Sequence, residues 1–100
     1  MAVAAVLIGC EPYRNAPEEE PIVMTEEQLV QGRQIFLQFC QSCHPDGAAG
    51  IGPRLAGRPI PASIVEHRVR NGRRAMPAFG RDLISDEELE VLVGYVVSLR

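Results

Sequence analysis

Cys40-Gln41-Ser42-Cys43-His44 is the stretch on which the reading of this 100-residue chain turns. Two thiols with two residues between them, on the last turn of a helix, reach the same small target. An imidazole follows directly and points at that target from the same side. This order suits a haem whose two vinyl groups take thioether bonds while the His approaches the iron. Other uses of a C-x-x-C pair fit less well. A structural zinc needs four ligands, commonly from a second pair, and beyond the motif only Cys10 and His67 remain as Cys or His donors. A thioredoxin-like site sits near a βαβ pattern, whereas this motif lies between a helical pattern and a Gly/Pro-rich loop.

Helix and loop signals run outward from the motif. Upstream, Thr25-Glu26-Glu27-Gln28 has the form of a capping box. The helix it starts extends to about Phe39, with Leu29, Val30, Gly32, Ile35, Phe36 and Phe39 on its apolar side. Gly32 lowers helix stability, which points to a second helix crossing closely there. Downstream, Pro45, Gly47, Gly50, Gly52, Pro53, Gly57, Pro59 and Pro61 forbid long regular elements and mark an ordered loop. A second helix runs from Ala62 to about Arg70, with Ile64, Val65 and Val69 inward and Gly72 ending it. After a loop carrying Met76-Pro77-Ala78-Phe79-Gly80, the capping box Ser85-Asp86-Glu87-Glu88 opens a last helix, with Leu89, Leu92, Val93, Val96 and Leu99 on its apolar face. The expected fold class is all-α, with three main helices and Gly/Pro-rich loops packed around one cofactor.

One hundred residues make one domain, and a domain this small builds only a marginal core. With three Phe, two Tyr and no Trp, a cofactor is the expected filler of that core. Three Cys, an odd number, do not make a simple disulfide framework. The formal net charge is −3. Glu11, Glu18, Glu19 and Glu20 against Arg14 account for all of it, so residues 22–100 sum to zero. Within that neutral part Arg54, Arg58, Arg68, Arg70, Arg73, Arg74 and Arg81 gather in the middle, while acids gather at Glu26–Glu27 and over Asp82–Glu90. The folded part is therefore a charge dipole. Nothing in it points to nucleic acid.

Residues 1–9 are apolar but too few to span a bilayer, which takes about 20 residues. They fit the apolar part of a signal peptide that lacks its basic start. Leu7-Ile8-Gly9-Cys10 resembles the lipobox of bacterial lipoproteins, which implies a lipidated Cys10. Residues 10–21, with three prolines and four acids, read as an extended, mobile tether. The expected organisation is a partial signal peptide over 1–9, a lipidated tether over 10–21, and a folded domain over 22–100 on the periplasmic side of a bacterial membrane.

The iron's sixth ligand decides what such a centre does. Met76 lies in a loop, and Pro77 biases it toward extended backbone, which lets its thioether project. A Met filling the core is the plain alternative. Met24 precedes the first helix, where a packing contact is expected. His67 is the rival ligand, but it sits between Glu66 and Arg68 as a surface residue would. His on one face and Met on the other close the iron and suit electron transfer.

Taken together, residues 25–100 resemble a small class I cytochrome c of bacterial type. Cys40-Gln41-Ser42-Cys43-His44 matches its haem-binding motif, and Gly52-Pro53-Arg54-Leu55 resembles its Gly-Pro-x-Leu segment. The resemblance implies that the Pro53 carbonyl accepts the His44 N–H and that Leu55 lies against the haem. Arg73-Arg74-Ala75-Met76-Pro77-Ala78-Phe79 is similar to the family's Met-ligand loop. Gly32 and Phe36 with Tyr95 resemble the pairs that pack where its terminal helices cross. A Trp often found near the propionates is missing, which leaves Arg54 and Arg58 as candidate partners.

The implied function is single-electron transfer between a redox donor and an acceptor in a respiratory chain, through one covalently attached haem c. The implied iron ligands are His44 and Met76; the cofactor-binding residues are Cys40, Cys43, His44, Pro53, Leu55 and Met76. A haem subunit of a larger dehydrogenase or oxidase is the alternative, with Ile51, Ile60 and Phe79 as candidate interface residues. A haem-based sensor with a labile sixth ligand is a third reading. No catalytic residue is expected.

Overall fold

The computed structural model describes residues 20–100. The leader, Cys10 and most of the acidic tether lie outside the described residues. Regular structure within them consists of three α-helices, α1 (Glu26–Phe39), α2 (Ala62–Asn71) and α3 (Asp86–Ser98), and a short 3-10 turn at Pro45–Gly47. No β-strand occurs among the described residues, only an isolated antiparallel bridge between Arg73 and Met76.

The two sequence-predicted capping boxes are formed. The Thr25 hydroxyl accepts from the Gln28 backbone N–H at 3.1 Å, and the Gln28 side chain accepts from the Thr25 N–H at 2.9 Å. Ser85 and Glu88 repeat the exchange at 3.1 and 2.9 Å. Each box satisfies two backbone donors that a helix start otherwise leaves unpaired, worth about 1 kcal/mol. α2 begins after Pro61 and ends at Gly72, whose φ of 68° lies in the region glycine tolerates.

α3 is the central element, since both α1 and α2 pack on it. At the α1–α3 crossing, a Cβ on Gly32 would overlap the Val91 carbonyl oxygen and lie 2.8 Å from the Tyr95 Cβ. Only glycine permits that approach. Beside it, the Phe36 and Tyr95 rings pack tilted, with centroids 5.4 Å apart. Met24 uses a second glycine: its sulfur lies 2.5 Å from where a Gly94 Cβ would stand. Met24 is thus a packing residue, as expected.

α3 is buried over more of its circumference than a single apolar face provides: Val91 and Gly94 join Leu89, Leu92, Val93 and Val96. Phe36, Ile84 and Leu92 are the largest fully buried side chains. Ile60, considered as an interface residue, is instead 7% exposed and belongs to the core. No helix among the described residues is long and apolar enough to cross a membrane.

Candidate haem site

The C-x-x-C-H motif is built onto the end of α1. The Cys40 N–H still bonds to the Phe36 carbonyl at 2.8 Å. The Cys40 carbonyl then accepts from the N–H of Cys43 (3.1 Å) and of His44 (2.9 Å), which wraps the motif into a tight turn. Gln41 and Asp46 brace it by exchanging two hydrogen bonds of 3.0 Å, with Asp46 in the left-handed region at φ 53°. The following loop closes on the motif through Gly52 N–H to the Cys43 carbonyl (2.9 Å) and Leu55 N–H to the Gly47 carbonyl (2.7 Å).

His44 is 7% exposed, the one buried polar side chain of the described residues. Its Nδ1 lies 2.9 Å from the Pro53 carbonyl oxygen. A carbonyl oxygen can only accept, so Nδ1 is the donor, and in the neutral ring the lone pair is then on Nε2. The ring is packed against Gly52, where a Cβ would overlap Cε1 and stand 2.7 Å from Nε2.

A cavity of about 570 Å³ opens between α1, α2, α3 and the two loops. Its walls are apolar, from Phe36, Leu55, Ile60, Val65, Val69, Leu92 and Val96. Cys40, Cys43, His44, Pro53 and Met76 also line it, as do Arg58, Arg68, Arg73 and Arg74. Burial, with the neighbouring Cys43 second, pushes the Cys40 thiol up to about 11. A redox-active C-x-x-C needs the reverse, a depressed thiol.

Met76 is held by a two-residue turn. Arg73 and Met76 exchange backbone hydrogen bonds of 3.0 and 2.9 Å across Arg74 and Ala75, and Arg74 sits at φ 54°. Gly72 lies under the loop, since a Cβ there would come within 2.6 Å of the Met76 carbonyl oxygen.

The donor set fits a haem. There are two thiols, an imidazole with a free lone pair, a thioether, apolar walls for the macrocycle and guanidinium groups for its carboxylates. The structure brings together all six sequence-predicted site residues, Cys40, Cys43, His44, Pro53, Leu55 and Met76, in one cavity. His67 is not among the lining residues; it is exposed on α2, where its Nδ1 pairs with the Asn71 side chain at 3.2 Å. Of the two candidate propionate partners, Arg58 lines the cavity and Arg54 does not; Arg54 offers its carbonyl to Arg58 at 3.3 Å. Sequence reasoning missed Gly52 and Gly72 as close-approach positions. The glycines are visible in the sequence, but the atoms they face come from elsewhere in the fold.

The chain is similar to several known proteins. The family described as cytochrome C oxidase, cbb3-type, subunit III matches residues 27–96. The cytochrome c subunit of 4-cresol dehydrogenase (hydroxylating) from Pseudomonas putida is 38% identical over 74 residues. That stretch covers 74% of this chain but 65% of the relative, so the chain spans just under two thirds of its length. Cytochrome c6 of Cyanidium caldarium is 34% identical, covering 76% of this chain and 75% of that one. A chain in the crystal structure of p-cresol methylhydroxylase with substrate bound superposes with a TM-score of 0.60 at 39% identity, covering 73% of this chain and 97% of that one. Three helices without a strand among the described residues, a cavity with this donor set, and these relatives lead to one conclusion: the chain belongs to the cytochrome c family, with the class I cytochrome c fold and one covalently bound haem c.

Proposed function

We propose that Cys40 and Cys43 hold the haem through thioether bonds and that His44 Nε2 and the Met76 sulfur are its iron ligands. The hydrogen bond from His44 Nδ1 to the Pro53 carbonyl carries this reading, because it fixes the tautomer that leaves Nε2 free in a cavity lined by Cys40, Cys43 and Met76. When bound, the haem supplies an iron that takes up and releases one electron. The protein's own groups then set how readily it does so. Pro53 orients His44 and strengthens it as a donor; Leu55 and the apolar walls exclude water; Met76 closes the sixth position and raises the potential. The test is Met76→Ala. The weak sulfur-to-iron charge-transfer band at the red end of the visible spectrum is expected in the wild type and lost in the variant. A band that survives refutes Met76 as the ligand.

Partners are proposed from charge and from the tether. Arg73 and Arg74 are exposed at the cavity rim beside Met76, and Ile51 at the same rim is 75% exposed. Cationic side chains at the mouth of the cavity suit an acidic redox partner, and their attraction weakens with salt. The lipobox-like Leu7-Ile8-Gly9-Cys10 and the acidic stretch after it support a lipid anchor on the periplasmic side of the membrane, within a respiratory chain. Mass spectrometry of the mature N-terminus tests this: an unmodified Cys10, or cleavage elsewhere, refutes it. The second reading, a haem subunit of a dehydrogenase, is favoured by the similarity to the 4-cresol dehydrogenase cytochrome subunit. Co-purification from solubilised membranes separates the two: a carrier leaves alone, a subunit leaves with its enzyme.

A further inference from the structure

Arg70 stands outside the cavity lining, yet its guanidinium is engaged in three hydrogen bonds. Its side chain is 16% exposed. Nη1 donates to the Ile84 carbonyl at 2.6 Å and to the Phe79 carbonyl at 3.2 Å; Nη2 donates to Asp86 Oδ1 at 2.8 Å. The residue before it acts on the same residue of the loop, because the Val69 carbonyl accepts from the Phe79 N–H at 2.8 Å. The Phe79 residue is thus pinned to α2 at both its N–H and its C=O. Its ring also packs edge-on against Phe39, 5.6 Å between centroids.

The other end of the same segment is pinned at Gly72, under the Met76 carbonyl. Met76 therefore lies on a short span held at Gly72 upstream and at Phe79 downstream. We infer that Arg70 is a positioning residue for Met76: its carbonyl bonds hold the loop taut and keep the thioether in the cavity. This inference rests on the proposal that Met76 is the iron ligand.

The two halves of the Arg70 site differ in weight. Asp86 is 63% exposed and is shared with Arg81, whose Nε lies 3.0 Å away. An ion pair that open to water contributes little. The bonds to Phe79 and Ile84 are part-buried, and removing a charged donor from such carbonyls leaves them unsatisfied. The carbonyl bonds, not the ion pair, hold the loop.

Imidazole binding to the ferric holoprotein reads out loop release. Imidazole takes the sixth position only when Met76 has left, so its apparent affinity scales with the Met-off population. Arg70→Met is expected to tighten imidazole binding about tenfold or more, with helical circular dichroism at 25 °C unchanged. Arg70→Lys, which keeps the charge but not the fork, is expected to tighten it severalfold and carries the test if the Met variant does not accumulate. Asp86→Asn is expected to change it less than threefold. Imidazole affinity within twofold of wild type in both Arg70 variants would overturn the inference, as would an Asp86→Asn effect equal to that of Arg70→Met. A wild-type charge-transfer band that persists in Met76→Ala instead sinks the underlying ligand assignment.

Discussion

Gly52→Ala places a methyl group on the face of the His44 ring. The added Cβ would stand 2.7 Å from Nε2 and 2.8 Å from Nδ1. Carbon against a ring atom settles at about 3.5 Å, so the imidazole must retreat by roughly 1 Å. The Nδ1 bond to the Pro53 carbonyl is 2.9 Å long, and a retreat of that size off the ring face lengthens and misaligns it. The weakened bond costs up to about 1 kcal/mol, and overpacking a site braced by the Gly52 N–H bond to the Cys43 carbonyl adds about 1–3 kcal/mol. The sum, about 1–4 kcal/mol, lowers the melting midpoint of a domain this size by at least about 4 °C. The reduction potential moves upward, since a His44 with a weakened bond to its acceptor is a poorer donor and stabilises ferric iron less. Thermal melting and potentiometry of the holoprotein check both. The control is Gly57→Ala: φ there is 74°, but nothing lies within 4 Å of the new Cβ. That variant suffers only the left-handed backbone cost, about 1–2 kcal/mol, and keeps the wild-type potential. A Gly52→Ala protein with wild-type melting and potential would refute the reasoning.

Gly32→Ala drives a methyl into the Val91 carbonyl; overpacking of up to about 3 kcal/mol against about 1 kcal/mol of helix propensity gained predicts a lower melting midpoint by calorimetry. Arg74→Gly releases a left-handed arginine, and a gain of roughly 0.5–1 kcal/mol should raise the midpoint by a few degrees. Asp86 is held below its ordinary value of 3.8, first by the hydrogen bond from Arg81. A depressed carboxylate stabilises above its unfolded pKa and loses that contribution as pH falls through the folded one. The melting difference between wild type and Asp86→Asn should therefore be constant from about pH 7 to 5, shrink as pH falls below 3.8 and vanish only below the depressed folded value.

Features encoded by neighbours in sequence were legible without coordinates. Thr25 with Gln28 and Ser85 with Glu88 mark helix starts because the capping partners are three residues apart. Cys40, Cys43 and His44 share one turn, and Pro77 next to Met76 stretches the loop backbone. Pro53 and Leu55 came from the family resemblance, and the 2.9 Å contact between His44 and Pro53 has the form that resemblance implies. What stayed hidden is set by distant residues. Val91 and Gly94 are buried because α1 and Met24 cover a side of α3 that its own periodicity does not mark. Ile60 reads as a loop residue free for a partner, yet Arg100 donates to its carbonyl at 2.6 Å and its side chain lies in the core. Arg70 looks like one more surface arginine until the loop after Met76 folds back over it.

The crossing at Gly32 also has a consequence for how the molecule is built. The residues that meet there are about sixty positions apart in the chain, and the haem-attachment motif lies inside the loop they close. That closure is the entropically expensive, non-local step of the fold. Synthesis proceeds from the N-terminus, so α1 has no partner until α3 has been made. A growing chain therefore keeps Cys40 and Cys43 in an unlatched segment until nearly all of the domain has emerged, and truncation before Val91 would leave the motif with no fold to seal it.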